Sequence, residues 1–133
     1  MSFVITRGEL EFQSGLLLNG QAYKVFLATT GSLTVTSTIT DWEGAELEEE
    51  NGYEPITGTI GTGVYNVTTL RVDAPVITGQ FGPASGAGFT FDAMIIKIGA
   101  TRTRPYAIRL YDVPQLLSAG QSRGFAVTLG VKP

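Results

Sequence analysis

The chain has no cysteine and no histidine. Without cysteine there is no disulfide and no thiolate chemistry. Without histidine the commonest general base and the commonest metal ligand are missing. Ser-His-Asp and Cys-His arrangements are therefore impossible, and zinc sites of the usual kind are excluded. Charge is scarce as well: 16% of residues are charged and 43% are hydrophobic. A disordered chain shows the reverse balance. No apolar run approaches the ~18 residues of a membrane span. The start, Met1 to Phe12, carries Arg7, Glu9 and Glu11 and has no signal-peptide core. These features lead us to expect a soluble protein made in a cytoplasm.

Positive charge is absent from Val25 to Leu70, a span that holds Asp41, Glu43, Glu46, Glu48, Glu49, Glu50 and Glu54. From Arg71 onward the balance reverses, with Arg71, Lys97, Arg102, Arg104, Arg109, Arg123 and Lys132 against Asp73, Asp92 and Asp112. The net charge of −3 hides this division. Two readings follow. The acidic face is solvated with its charges paired inside the molecule, or it meets a basic surface on another copy or a partner. The division suits head-to-tail contact between copies, and so a homo-oligomer.

What is present is the composition of strands and turns. At 133 residues the chain is expected to form one domain, 1–133. Residues 1–12 alternate partially and read as an N-terminal arm or an edge strand. Asn19-Gly20 is the strongest hairpin signal, and Tyr23 to Leu27 follows as a short, mostly apolar strand. Leu33, Val35 and Ile39 alternate with threonines up to Thr40, which predicts a strand or an ordered loop leading into a helix. Ile56–Ile60 and Val64–Val72 read as strands. Pro75 confines the next one, Val76–Ile77 into Gln80–Phe81, to an edge or a strand start. Gly82 to Gly88 reads as a flexible loop of small residues. It is no phosphate cradle, because no Lys-Ser/Thr ends it and no helix follows. Phe89–Ile98 is apolar on both faces, as in a central strand buried between layers. Tyr106–Tyr111 is another strand, Pro114 precedes a short Gln115–Leu117 segment, and Phe125–Leu129 is the last strand. Seven to nine strands at these spacings predict an all-β fold: a single antiparallel β-sandwich, jelly-roll-like.

One stretch reads as helix, near residues 41–50. Thr40 is a good N-cap and Glu43 completes a capping box. Asn51-Gly52 supplies a left-handed stop, and Pro55 prevents a restart. About ten residues do not hold a helix alone in water, so this one must dock. Trp42 and Ala45 share a face, and Trp42 is the anchor.

The same stretch carries a resemblance. Thr38, Asp41, Trp42, Ala45, Glu46, Leu47, Gly52 and Tyr53 form an acidic "T-x-x-D-aromatic" opening, an "A-E-L" run and a "G-Y" pair. Leu117-Ser118-Ala119-Gly120-Gln121 forms an "A-G-Q" turn before a closing strand. Together these resemble small β-rich virion structural proteins of tailed bacteriophages. The resemblance implies a capsid decoration or cement protein, not an enzyme, stabilising the head by binding the major capsid protein or another virion protein and its own copies. It implies a virion location after synthesis in the host cytoplasm and, together with the division of charge, a homotrimer. The alternative within the virion is a tail or baseplate accessory protein.

Other chemistries find weaker footing in the residues. A carboxylate pair of the glycosidase kind is not formally excluded, but the acids cluster on one short helix. Glu48-Glu49-Glu50-Asn51-Gly52 has oxygens without the alternating spacing of a calcium loop. Arg102, Arg104, Tyr106, Arg109 and Tyr111 interleave basic and aromatic residues as a nucleic-acid platform does. On a strand Arg109 faces opposite to Tyr106, and the pI of about 4.8 argues against polyanion binding, so nucleic acid is not expected as a partner; without a long apolar run, neither is a membrane. A carbohydrate-binding module built on Trp42, Tyr53 and Tyr65 is the alternative outside the virion. No cofactor, metal or catalytic residue is assigned. The residues expected at an interface are Phe3, Ile5, Trp42, Glu48, Glu49, Glu50, Tyr53, Arg102, Arg104 and Tyr106.

Overall fold

A computed structural model describes residues 20–61, 64–66, 68, 71–73, 76–99 and 103–128. The elements run β1 (Ala22–Ala28), α1 (Ile39–Gly44), β2 (Ile56–Thr59), β3 (Val64–Asn66), β4 (Arg71–Asp73), β5 (Val76–Phe81), β6 (Phe89–Ile98), β7 (Ala107–Leu117) and β8 (Arg123–Thr128). The fold is all-β and sandwich-like, with antiparallel sheets and, among the described residues, one short helix. A four-stranded sheet has the order β2-β1-β6-β7, and two smaller sheets pair β3 with β4 and β5 with β8. By compactness the chain divides into two units. One comprises Ala22–Gly58 and Gly79–Phe125; the other comprises Met1–Gln21, Thr59–Thr78 and Ala126–Pro133.

The larger unit is organised around β6. Its ten residues lie between β1 and β7. Phe91, Ala93 and Ile95 of one face are buried, and so are Met94, Ile96 and Ile98 of the other. A strand covered on both sides loses the polar alternation of a half-exposed one, as the residue pattern predicts. Val25, Phe26, Leu27 and Ala28 of β1 are equally enclosed. The register sets Phe26 opposite Ile95 and Ala28 opposite Ala93. These four, with Ile39 and Trp42 of α1, form one apolar cluster, and Leu33, Ala45 and Ile108 pack against it. Trp42 does anchor the helix.

Three sequence expectations within the larger unit need correction. The helix is shorter and starts earlier than residues 41–50. Thr38, not Thr40, is the N-cap, and its box closes with Asp41, not Glu43: Asp41 N donates to Thr38 Oγ1 (3.2 Å), and Thr38 N donates to Asp41 Oδ2 (3.3 Å). Starting there puts Ile39 and Trp42, three apart, on the buried face. The helix ends at Ala45. Asn51 and Gly52 do have left-handed backbones (φ 55° and 88°), but they shape a separate turn.

Second, Leu33 to Thr38 is the ordered loop, not the strand. Thr34 N donates to Ser37 Oγ, Ser37 N to Thr34 O and Thr36 N to Thr34 Oγ1. Hydroxyls that satisfy nearby backbone groups compete directly with a sheet ladder. Third, the strand expected at Tyr106–Tyr111 and the segment Gln115–Leu117 belong to a single strand, β7, which begins at Ala107 and runs through Pro114. Phe91 pairs with Gln115 and Ala93 with Leu110, so Tyr111, Asp112, Val113 and Pro114 stand opposite Asp92 alone. A bulge on an outer strand is where a proline is tolerated. The expected arm or edge strand at 1–12 and the first half of the Asn19-Gly20 hairpin lie outside the described residues.

In the smaller unit the single strand expected over Val64–Val72 is instead two, β3 and β4, antiparallel with Val64 opposite Asp73. Gly20 N donates to Ile60 O and Ile60 N to Gln21 O.

Candidate functional site

The acidic segment meets two lysines. Lys24 of β1 and Lys97 of β6 are direct cross-strand partners, so both project from one face of the sheet. Two cations side by side repel unless each is compensated. Lys97 Nζ lies 3.1 Å from Glu43 Oε1, and Lys24 Nζ lies 2.6 Å from Glu46 Oε1. The Lys24 ammonium also stands 5.0 Å from the centre of the Phe26 ring. Two of the seven carboxylates are therefore spent inside the molecule, and Asp41 is used as a cap. Glu48, Glu49, Glu50 and Glu54 remain exposed. No ion pair joins these four to another described residue.

Glu46 also holds the second anchor of the segment. Tyr53 is buried, and its hydroxyl donates to Glu46 Oε2 at 2.7 Å while accepting from Leu27 N at 3.1 Å. The side chain thus caps a backbone N–H of β1 where no strand pairs with it. Ala28 bridges Glu46, and Leu47 N donates to Leu27 O, which continues the edge. Burial pushes the Tyr53 hydroxyl well above its ordinary pKa of 10.0. The Leu27 amide opposes that rise, and the Glu46 carboxylate adds to it. Tyr53 therefore remains a neutral donor while an unfolded tyrosine ionises from about pH 10. Above that pH the unfolded state binds fewer protons than the folded one, so stability falls as pH rises. Tyr53→Phe is expected to cost about 1–3 kcal/mol at neutral pH, because it leaves the Leu27 amide and one Glu46 oxygen unsatisfied. It should also flatten the loss of stability above pH 10. Urea melts at pH 8 and pH 11 measure both effects, and equal pH slopes in the two proteins would contradict the account.

Trp42 and Tyr53 were expected at an interface and are core residues instead. Neither ring can stack on a sugar in this fold, which removes two of the three aromatics of the carbohydrate reading. The side chain of Tyr65, and Phe3, Ile5 and Arg102, lie outside the described residues. Glu48, Glu49, Glu50 and Arg104 are exposed, and Tyr106 is half-buried. The Arg104 guanidinium donates to Thr36 O, and Ile39 N donates to Thr103 O at 2.8 Å. The basic turn thus pins the loop that leads into α1. Tyr106 N donates to Ile96 O. Of the expected residues that are described, Trp42 and Tyr53 are in the core while Glu48, Glu49, Glu50 and Arg104 are exposed.

A second group was not singled out as a site. On β7 the Tyr111 ring meets Phe91 edge-on, with ring centres 5.5 Å apart. Arg109 lies 4.9 Å and Arg123 5.9 Å from the centre of the Tyr111 ring. Arg123 also donates to Gln115 Oε1 at 3.0 Å. The interleaving of Arg109 and Tyr111 is the visible signal: two residues apart, they share a face of a regular strand, although Arg109 and Tyr106 do not. Tyr111 Oη and Trp42 Nε1 are buried without a hydrogen-bond partner among the described residues.

The turns form a third group. Gly82–Gly88 is not free: Ala84 N donates to Gln121 O, Gly120 N to Ala84 O, and Ser85 N to Asn51 O, each at 2.8 Å. One loop therefore clasps the Asn51-Gly52 turn on one side and the Ser118–Gln121 turn on the other. Phe81 and Phe89 flank Tyr53 beside it, and Phe125 flanks Phe81.

Among the described residues no group of three or more Asp or Glu is placed to hold a metal ion. No helix among them is long and apolar enough to cross a membrane. No protein-family model, curated protein or solved structure matches this chain.

Proposed function

We propose that this chain is a structural protein of a phage virion, a decoration or cement protein of the capsid. It acts by burying surface against major capsid subunits and against its own copies. One observation carries the reading. The two short patterns that resemble virion proteins, Gly52-Tyr53 and Ala119-Gly120-Gln121, are far apart in sequence, yet their turns are clasped by the same loop through Ser85 and Ala84. Two resembling turns held by one loop support a shared structural unit more than two unrelated short matches would. Exposed carboxylates at Glu48, Glu49, Glu50 and Glu54 give such a protein a charged rim for a basic partner.

The test is a density map of particles assembled with the protein present. Density of this size on the capsid is the expected result. Density at the tail would move the protein to a tail accessory role. A protein found only free, with none on the particle, overturns the virion reading.

A further inference from the structure

Strand β7 is the outer strand of the four-stranded sheet, and no described strand pairs with its far side. It is eleven residues long. Long open edges invite pairing with another chain and are usually short, charged or covered. This one is also apolar at its surface: Leu110 is 45%, Val113 67% and Leu116 57% exposed. Single exposed apolar residues are ordinary, but several on one open edge mark an interaction surface.

We infer that this edge is the contact between two copies of the chain, arranged about a two-fold axis near Tyr111. The inference deepens the function proposed above, in which copies pack on one another, and rests on it for its biological setting. The choice of a second copy over an unrelated partner comes from charge. Arg109 and Asp112 are both exposed and lie three residues apart on β7. Neither has an ion partner among the described residues; Arg109 instead lies against the Tyr111 ring. A two-fold contact must be self-complementary, with residue i meeting j and j meeting i. An antiparallel approach brings each Arg109 toward the other copy's Asp112, while Leu110, Val113 and Leu116 supply the apolar area. A strand with one cation and one anion satisfies itself in this way; an acidic or a basic partner would leave one of the two opposed.

The bulge fixes the mode of contact. Four residues of β7 stand opposite one of β6, and Pro114 has no N–H to donate. A continuous ladder across the edge is therefore interrupted, and side chains carry the contact. A two-fold contact closes on itself, so the product is a dimer and not a fibre. The homotrimer expected from the division of charge and the resemblance together would need a head-to-tail contact instead.

Sedimentation of the purified chain, with no particle present, tests the inference apart from the function. A dimer at micromolar concentration is expected. Arg109→Asp and Asp112→Arg should each weaken it at least about tenfold, since each sets like charges face to face twice. The double variant R109D/D112R should restore it. Leu116→Ser should weaken the dimer while the far-ultraviolet circular dichroism stays that of the folded chain. A monomer at high concentration overturns the inference, as does a trimer or a dimer indifferent to both charge reversals. A dimer that never joins a particle leaves this contact standing and overturns the virion role.

Discussion

Trp42→Ala should destabilise the protein by about 3–5 kcal/mol, the usual cost of deleting a fully buried large aromatic side chain. The ring sits among Phe26, Ala28, Ile39, Ala93 and Ile95. Those residues come from two central strands and the helix itself, so the hole cannot be closed by moving one loop. The helix has six residues, too few to persist on propensity. Its burial against the sheet is what orders it. Losing the ring should therefore release α1 and with it the Glu43–Lys97 pair, leaving Lys97 beside Lys24 with one counter-charge fewer. In a chain of this length the melting temperature should fall by roughly 10–20 °C. Trp42→Phe should cost much less. It keeps most of the apolar volume, and Trp42 Nε1 has no hydrogen bond to lose among the described residues. Both variants remove the chain's one Trp, so far-ultraviolet circular dichroism, not Trp fluorescence, compares their melts with the wild type. An Ala variant that melts with the wild type would show that the ring does not hold the helix.

The residues made this core legible and hid much of its wiring. Phe89 to Ile98 is apolar at both parities, and only a strand covered on two sides uses such a sequence. Trp42 and Ala45 sit at helical spacing, which exposed the docking of α1 without its bounds. The bounds were ambiguous because Thr38-x-x-Asp41 and Thr40-x-x-Glu43 are both capping patterns. Packing decides between them: only the first brings Ile39 into the core beside Trp42. Propensity misled over Leu33–Thr38, where hydroxyl groups found local backbone partners instead of a ladder.

The candidate surfaces were less legible than the core, for a different physical reason. Which carboxylates stay free depends on the strand register, since Lys24 meets Glu46 and Lys97 meets Glu43 only because the two lysines lie opposite each other. Nothing in the order of residues couples positions 24 and 97. Pro114 had the same effect on β7. It marks a break in a simple strand, and the fold uses a four-residue bulge to pass it. That bulge exposes Val113 and Asp112, and so makes the edge on which the dimer contact is placed. By contrast the Tyr53–Glu46 bond follows from a turn that the Asn51-Gly52 signal did announce, though as the end of a helix.

Gly88→Ala is the other substitution expected to act strongly, and it tests how tightly the clasped turns are packed. Gly88 is buried with φ of +75°, and a methyl group there would overlap the carbonyl oxygen of Leu117. Two costs combine. The left-handed backbone costs an L-residue about 1–2 kcal/mol, and forcing a methyl into filled space adds about 1–3 kcal/mol. The obstacle is backbone at the end of β7, paired through Leu117 to Phe89, so it cannot swing aside as a flexible side chain would. Gly120 separates the two terms. It has φ of +87° but nothing within 4 Å of a methyl placed on it, and it is exposed. Gly120→Ala should therefore show the conformational cost alone. Denaturant melts of the two variants should place Gly88→Ala clearly below Gly120→Ala, by about 1–3 kcal/mol. If Gly88→Ala also loosens the loop that holds Ser85 to Asn51 and Ala84 to Gln121, amide exchange at those two N–H groups should accelerate with it. Equal losses in the two variants would mean that the turns give way easily and that the clasp contributes little to the fold.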